Sequence, residues 1–132
     1  MIWFLRLLFL GVIGAMLWAT TTASMHQLLG DFARGPVIRD PWVVATLFDA
    51  YLAFLAFYIF VAWKEQSLAA RVLWFISLML LGNFAIAAYL LRELFAVPAD
   101  GPLNDVFTRR NPGRVGLAGG LTAAAVAVYL LA

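Results

Sequence analysis

Hydrophobic and polar positions divide the chain into four long apolar runs, at about residues 2–24, 41–63, 71–91 and 115–132, separated by short polar connections. An α-helix needs roughly 20 apolar residues to cross a hydrocarbon core about 30 Å thick, and each run is near that length. The pattern predicts an all-α integral membrane protein: a compact antiparallel four-helix transmembrane bundle with short loops, forming one domain over residues 1–132.

The connections carry the punctuation that such a bundle requires. Met25 to Asp40 contains Gly30, Gly35 and Pro36 as turn formers. Asp40 is placed to cap the next helix and Pro41 suits its first position, since proline has no amide hydrogen to leave unpaired. Lys64 and Glu65 return the chain to water, and the short Gln66–Ala70 link makes the third span an antiparallel neighbour of the second. Between the Pro98–Pro102 and Asn111–Gly113 turn clusters, Leu103, Val106 and Phe107 share one helical face, which predicts a single interfacial turn or a surface loop. The first run competes with a cleavable signal peptide, but Ile, Trp, Phe and Leu, not a basic region, precede Arg6, so a retained span is expected.

Small residues mark helix-packing faces. Gly11, Ala15, Ala19 and Ala23 recur every fourth residue on the first span, Gly116 and Gly120 do so on the fourth, and Ala45, Ala53 and Gly82 offer close approach on the second and third.

Composition supports the membrane class: 65% of the 132 residues are hydrophobic, 12% are charged, and mean hydropathy is +0.95. The net charge of +2 comes from arginines near the run ends, which suits a lipid bilayer and shows no basic face for nucleic acid. The absence of cysteine excludes disulfides, thiolate metal sites and iron–sulfur clusters. His26 is the only histidine and lies in a connection, which leaves no axial ligand for haem within a span. Neither a phosphate-binding loop nor a dinucleotide or HExxH zinc motif occurs, and no serine has a basic partner in sequence. No metal, cofactor or catalytic residue is assigned. With four crossings, a positive-inside count would put loops one and three in the cytoplasm and both termini outside, whereas Arg6 at the head of the first span argues for the reverse.

The candidate chemistry lies inside the second span. Asp49 is an acid in an apolar helix, where insertion costs roughly 2.5–3.5 kcal/mol. Counted at 1.5 Å per residue from Asp40 and from Arg92, Asp49 and Asn83 both come out about 13 Å deep. Thr122, Thr20 and Thr22 fall at similar levels, Tyr51 is close, and Tyr89 and Arg92 lie nearer the mouth. This predicts an intramembrane polar layer that either fixes helix register or holds a proton, cation or polar ligand. The first function expected is association, as an accessory component of a larger membrane complex or as a homo-oligomer. The alternative is a small transporter or channel with Asp49 as its site.

Pro41–Trp42, Thr46–Tyr51 (TLFDAY), Phe57–Tyr58, Val61–Glu65 (VAWKE), Leu73–Phe75 (LWF) and Leu80–Asn83 (LLGN) resemble the pattern of the small membrane-protein family called domain of unknown function 1475. The resemblance covers roughly the first three spans. It implies that Asp49, Gly82 and Asn83 belong to a family pattern, and it adds no activity.

Overall fold

The computed structural model describes residues 1–131. These residues form seven α-helices and one 3-10 turn: α1 (Ile2–His26), α2 (Leu29–Arg34), the turn Val37–Arg39, α3 (Pro41–Lys64), α4 (Leu68–Leu81), α5 (Asn83–Ala96), α6 (Leu103–Thr108) and α7 (Gly116–Leu131). Only α1, with 25 residues, and α3, with 24, are long and apolar enough to cross a membrane, each with a mean hydropathy of 2.0 over its best 18-residue stretch. The expected four-helix transmembrane bundle is therefore incorrect, and the correction falls on its third and fourth members.

The run at 71–91 is two helices that fold back on each other. The Trp74 ring lies 4.7 Å from that of Tyr89, edge to face. Fifteen residues of straight helix would separate them by about 22 Å. The reversal occurs at Gly82, whose φ of +54° and ψ of −119° suit glycine and strain other residues. Leu78 and Ala85, one turn to either side, are both fully buried in the core with Trp74, Tyr89, Val61, Ala70 and Ala118. The fourth run gives a 16-residue helix, α7, below crossing length; Ala132, the last residue assigned to that run, lies outside the described residues.

The fold-back reorders the molecule. α3 and α4 are antiparallel: the Tyr58 hydroxyl donates to the Arg71 carbonyl near one end, and Tyr51 donates to the Met79 carbonyl farther along. α5 returns beside α4, and α1 packs along α5 with its first turns against the last turns of α5. There the Arg6 guanidinium donates to the carbonyls of Leu94 and Val97, at 3.0 and 2.8 Å, and lies over the Phe95 ring. α7 runs in the same direction as α4. Thr122 donates to the Leu73 carbonyl and shares a 2.9 Å hydrogen bond with Ser77, while Tyr129 donates to the Leu80 carbonyl near the turn. The start of α1, the 65–67 link and the 97–115 connection consequently share one end of the molecule, whereas four crossings would have put the two connections on opposite sides.

Several local expectations hold. Asp40 caps α3, its carboxylate accepting from the Trp42 amide at 2.9 Å, with Pro41 in the first turn. Leu103, Val106 and Phe107 lie on the short helix α6, with Val106 buried against Ile2 and Leu94.

At Gly82 a Cβ would sit 2.6 Å from Cζ of Phe54, within the backbone conformation already noted. Gly82→Ala is expected to destabilise the protein by about 1–3 kcal/mol, read as a lower thermal midpoint in detergent. Adding Phe54→Leu should recover the steric part of that loss and leave the backbone part.

Candidate functional site

Three separate backbone segments bring the polar residues together at the shared end. α3 ends at Lys64 and the chain turns at Glu65; α5 delivers Tyr89, Arg92 and Glu93 on one face; and Asn111 is held by the backbone. The Asn111 amide donates to the Lys64 carbonyl at 2.8 Å, and the Gln66 amide donates to the Asn111 carbonyl at 3.1 Å, forming an isolated parallel bridge between residues 65 and 111. Gly113, with φ +107°, lets the chain turn against Ser67, whose Cβ would be 2.8 Å from any side chain placed there.

Within this frame the charges alternate. The Lys64 ammonium is 2.9 Å from Oε2 of Glu93 and also donates to the carbonyls of Val106 and Arg109, both at 2.6 Å, so that all three of its protons are used. Oε1 of Glu65 accepts from the Arg92 guanidinium, from Nδ2 of Asn111 at 2.8 Å and from the Tyr89 hydroxyl at 3.1 Å. Asn111 bridges the two carboxylates, with its Nδ2 also 2.9 Å from Oε1 of Glu93. Arg92 donates to Glu93 as well and lies over the rings of Trp74 and Tyr89 at 5.2 and 4.9 Å. Arg109 reaches Oε2 of Glu93 from the rim at 3.4 Å. Lys64, Glu65 and Glu93 are fully buried.

Two buried carboxylates are thus neutralised by Lys64 and Arg92, with Arg109 a third cation at the rim. Each buried ion loses several kcal/mol of hydration, which the pairing and the satisfied hydrogen bonds must offset. Among the described residues, Oε2 of Glu65 and Nε1 of Trp74 are the buried side-chain atoms left without a protein partner. Burial by itself pushes the Glu93 carboxyl up; hydrogen bonds from Lys64 and Asn111, the Lys64 charge and Arg92 outweigh it and hold the carboxyl below its ordinary value. An open groove of about 380 Å³, lined in part by Val97, Asp105, Thr108 and Arg109, lies beside the cluster. Among the described residues no group of three or more His, Asp and Glu side chains is disposed to hold a metal ion.

The residues expected to form an intramembrane layer go to different places. Tyr89 and Arg92 belong to the charge cluster. Thr122 and Tyr51 satisfy carbonyls of α4. Asp49 and Asn83 are exposed, and neither side chain makes a hydrogen bond or ion pair among the described residues. Their depths are counted from opposite ends, since Asp40 lies at the far end and Arg92 at the shared one. Thr20 and Thr22 lie on α1 without a cross-helix bond, and the Thr20 carbonyl accepts from Ser24. Ala45 and Ala53 are exposed on α3, Ala15 and Ala19 are exposed on α1, and a Cβ at Gly11, Gly116 or Gly120 would meet nothing within 4 Å.

Sequence reasoning missed Lys64, Glu65, Glu93 and Asn111. The available signal was the pair of basic–acidic dipeptides Lys64–Glu65 and Arg92–Glu93, each near the C-terminal end of a helix, whose opposite charges can pair crosswise once those ends meet.

Fold and cluster together define a small all-α protein in which two long apolar helices accompany a folded-back helical pair fastened by buried charge. The chain belongs to the family described as protein of unknown function DUF1475, whose sequence model matches residues 2–111. That match ends on Asn111 and so includes the whole charge cluster while leaving α7 outside. No curated protein and no solved structure matches the chain.

Two outcomes are expected at the cluster. Lys64→Met removes the buried ammonium from Oε2 of Glu93 and leaves the Val106 and Arg109 carbonyls without its donors, which should cost about 3–5 kcal/mol, measured as a loss of thermal midpoint in detergent. Because the folded state holds Glu93 below the ordinary glutamate value of about 4.3, the unfolded chain binds more protons in acid. The stabilisation from Glu93 is complete above that value and is lost as pH falls through the lower folded value. Glu93→Gln should flatten this acid limb of a stability-versus-pH curve.

Proposed function

We propose that the protein is a multi-pass integral membrane protein that acts by lateral association with other membrane helices, through the outer face of α3. Support for the membrane setting comes from the helices that are long enough to cross. The best 18-residue stretch of α3 is 0% buried inside the molecule and that of α1 only 11%. The core helix of a water-soluble protein would be covered by its neighbours, so uncovered helices of this hydropathy call for a lipid surround. Trp42 and Trp63 stand near the two ends of α3, about 32 Å apart along the helix and so close to the thickness of a hydrocarbon core, and both are exposed as interfacial tryptophans are.

The observation that carries the association is Asp49. It sits about 10 Å along α3 from Trp42, on a surface that also exposes Ala45, Thr46 and Ala53. In lipid this carboxyl costs roughly 2.5–3.5 kcal/mol unless something pairs with it, and nothing within the described chain does. A neighbouring helix, from a second copy or from another membrane protein, would supply the missing donor or cation. The small residues around Asp49 permit that helix to come close. The uncovered Gly11, Gly116 and Gly120 offer further contact area of the same kind.

Two measurements test this reading. After alkaline carbonate washing, the protein is expected to stay with the membrane pellet; release into the supernatant would overturn the membrane assignment. The chain has no cysteine, so Ala53→Cys provides a single reactive site. In native membranes it should form a cross-linked species that weakens at least several-fold when Asp49→Leu is added. A chain that is monomeric in several mild detergents and gives no cross-link along positions 45, 46 and 53 would sink the association.

A further inference from the structure

We infer that the end bearing the charge cluster is the cytoplasmic face, and that its exposed arginines, Arg109, Arg110 and Arg114, rest against the anionic phospholipid headgroups of that leaflet. This rests on the membrane reading above and adds a direction and a lipid partner to it. Arg6 bonds to the carbonyls of Leu94 and Val97, Lys64 to those of Val106 and Arg109, and Asn111 to the backbone on both sides of Glu65. These bonds gather the start of α1, the 65–67 link and the 97–115 connection at one end. Arg34 and Arg39 lie in the connection between α1 and α3 at the other end, so seven of the nine lysines and arginines are at the cluster end. Four crossings would have divided them three against six, with Arg6 opposing the majority. The fold-back at Gly82 removes that conflict, and Arg6 now agrees with the rest.

An excess of Lys and Arg close to the helix ends marks the cytoplasmic side, and cytoplasmic leaflets carry the anionic lipids that attract such a cluster. Arg71 and Arg92 are partly covered and engaged with Glu65 or Glu93, and Lys64 is fully buried, so these contribute to the count and not to lipid contact. Arg110 and Arg114 are exposed and make no ion pair among the described residues, and Arg109 is exposed at the rim while also reaching Oε2 of Glu93. Arg110 lies over the Trp63 ring, 5.4 Å from its centroid, and donates to the Trp63 carbonyl at 3.1 Å, which places a cation on an interfacial tryptophan. Asp100 and Asp105 are the acids exposed at this end, and the exposed cations outnumber them.

Single-cysteine variants Asp31→Cys and Asn104→Cys, treated with a membrane-impermeant maleimide, read the direction. Asp31→Cys is expected to react in intact cells, and Asn104→Cys only after permeabilisation. The reverse pattern would overturn the inference and leave the membrane reading standing, whereas reaction of both in intact cells together with release by carbonate would sink the membrane reading itself. For the lipid contact, the protein in nanodiscs of phosphatidylcholine alone is compared with discs containing a third phosphatidylglycerol. The thermal midpoint should be higher with phosphatidylglycerol, the difference should shrink as salt is raised, and Arg110→Gln with Arg114→Gln should remove most of it. An equal midpoint in both lipids would refute the headgroup contact.

Discussion

Two carboxylates and two cations buried against one another constrain everything around them. Lys64 and Glu65 leave α3 as neighbours in sequence, and Arg92 and Glu93 leave α5 in the same way; neither pair can be buried without the other, because an unpaired ion in that setting would cost several kcal/mol. The fold-back at Gly82 is what carries α5 to the end where α3 finishes. Asn111 then closes the arrangement from a third segment, its one amide nitrogen donating to both acids while its backbone pins the connection to the 65–67 link. Ion pairs of this type rarely add much stability relative to apolar packing, but an arrangement that parts the two partners loses about 3–5 kcal/mol. Here the arrangement they select is the one with both polar connections at one end.

What the sequence made legible followed from strong local signals. The Asp40–Pro41 start of α3 and its full length were readable from capping chemistry and apolar length, and the shared face of Leu103, Val106 and Phe107 left the stretch now seen as α6 open between a helical turn and a loop. The third run was misread because apolar length alone cannot distinguish one crossing helix from two short helices that fold back. Gly82–Asn83 is a turn dipeptide in the middle of that run, and in an otherwise apolar context Gly82 passed for a packing residue and Asn83 for part of a polar layer. That single misreading removed the site as well. With a straight third span, Lys64–Glu65 and Arg92–Glu93 lie on opposite faces and read as solvated helix ends, so their complementary charge had nothing to meet. Asn111 was hidden for another reason: its place in an Asn-Pro-Gly turn is an adequate explanation of an asparagine, and a bridge across 46 residues leaves no local trace.

The surface inverts the ordinary relation between burial and polarity. The charged residues of the cluster are covered, and much of α1 and α3 presents leucine, phenylalanine and tryptophan outward. In water such a surface would drive aggregation, and in lipid it is unremarkable apart from Asp49. The cluster therefore accounts for how the chain holds itself, while Asp49 and the uncovered small residues account for what it still lacks. These are separate parts of the molecule, and the contrast between a polar centre whose charges are all paired and a lone unpaired carboxyl is the basis for reading the first as structure and the second as contact.

The end of α4 bears on the proposed membrane setting. Gly82 packs against Phe54, the fourteenth residue of the 24-residue α3, so the turn lies near the middle of a helix that would cross the bilayer. A helix ending there leaves its last carbonyls without intrahelical donors, and lipid offers no water to replace them. Two tyrosines from different neighbours serve two of these carbonyls: Tyr51 of α3 donates to that of Met79 at 3.1 Å, and Tyr129 of α7 donates to that of Leu80 at 2.8 Å. The Gly82 amide and carbonyl are themselves paired, with Leu78 and Ile86. In an aqueous loop, water would serve these carbonyls and no side chain from two other helices would be required. Capping by side chains at this depth is what the proposed lipid surround would call for, and it ties α3 and α7 to the end of α4.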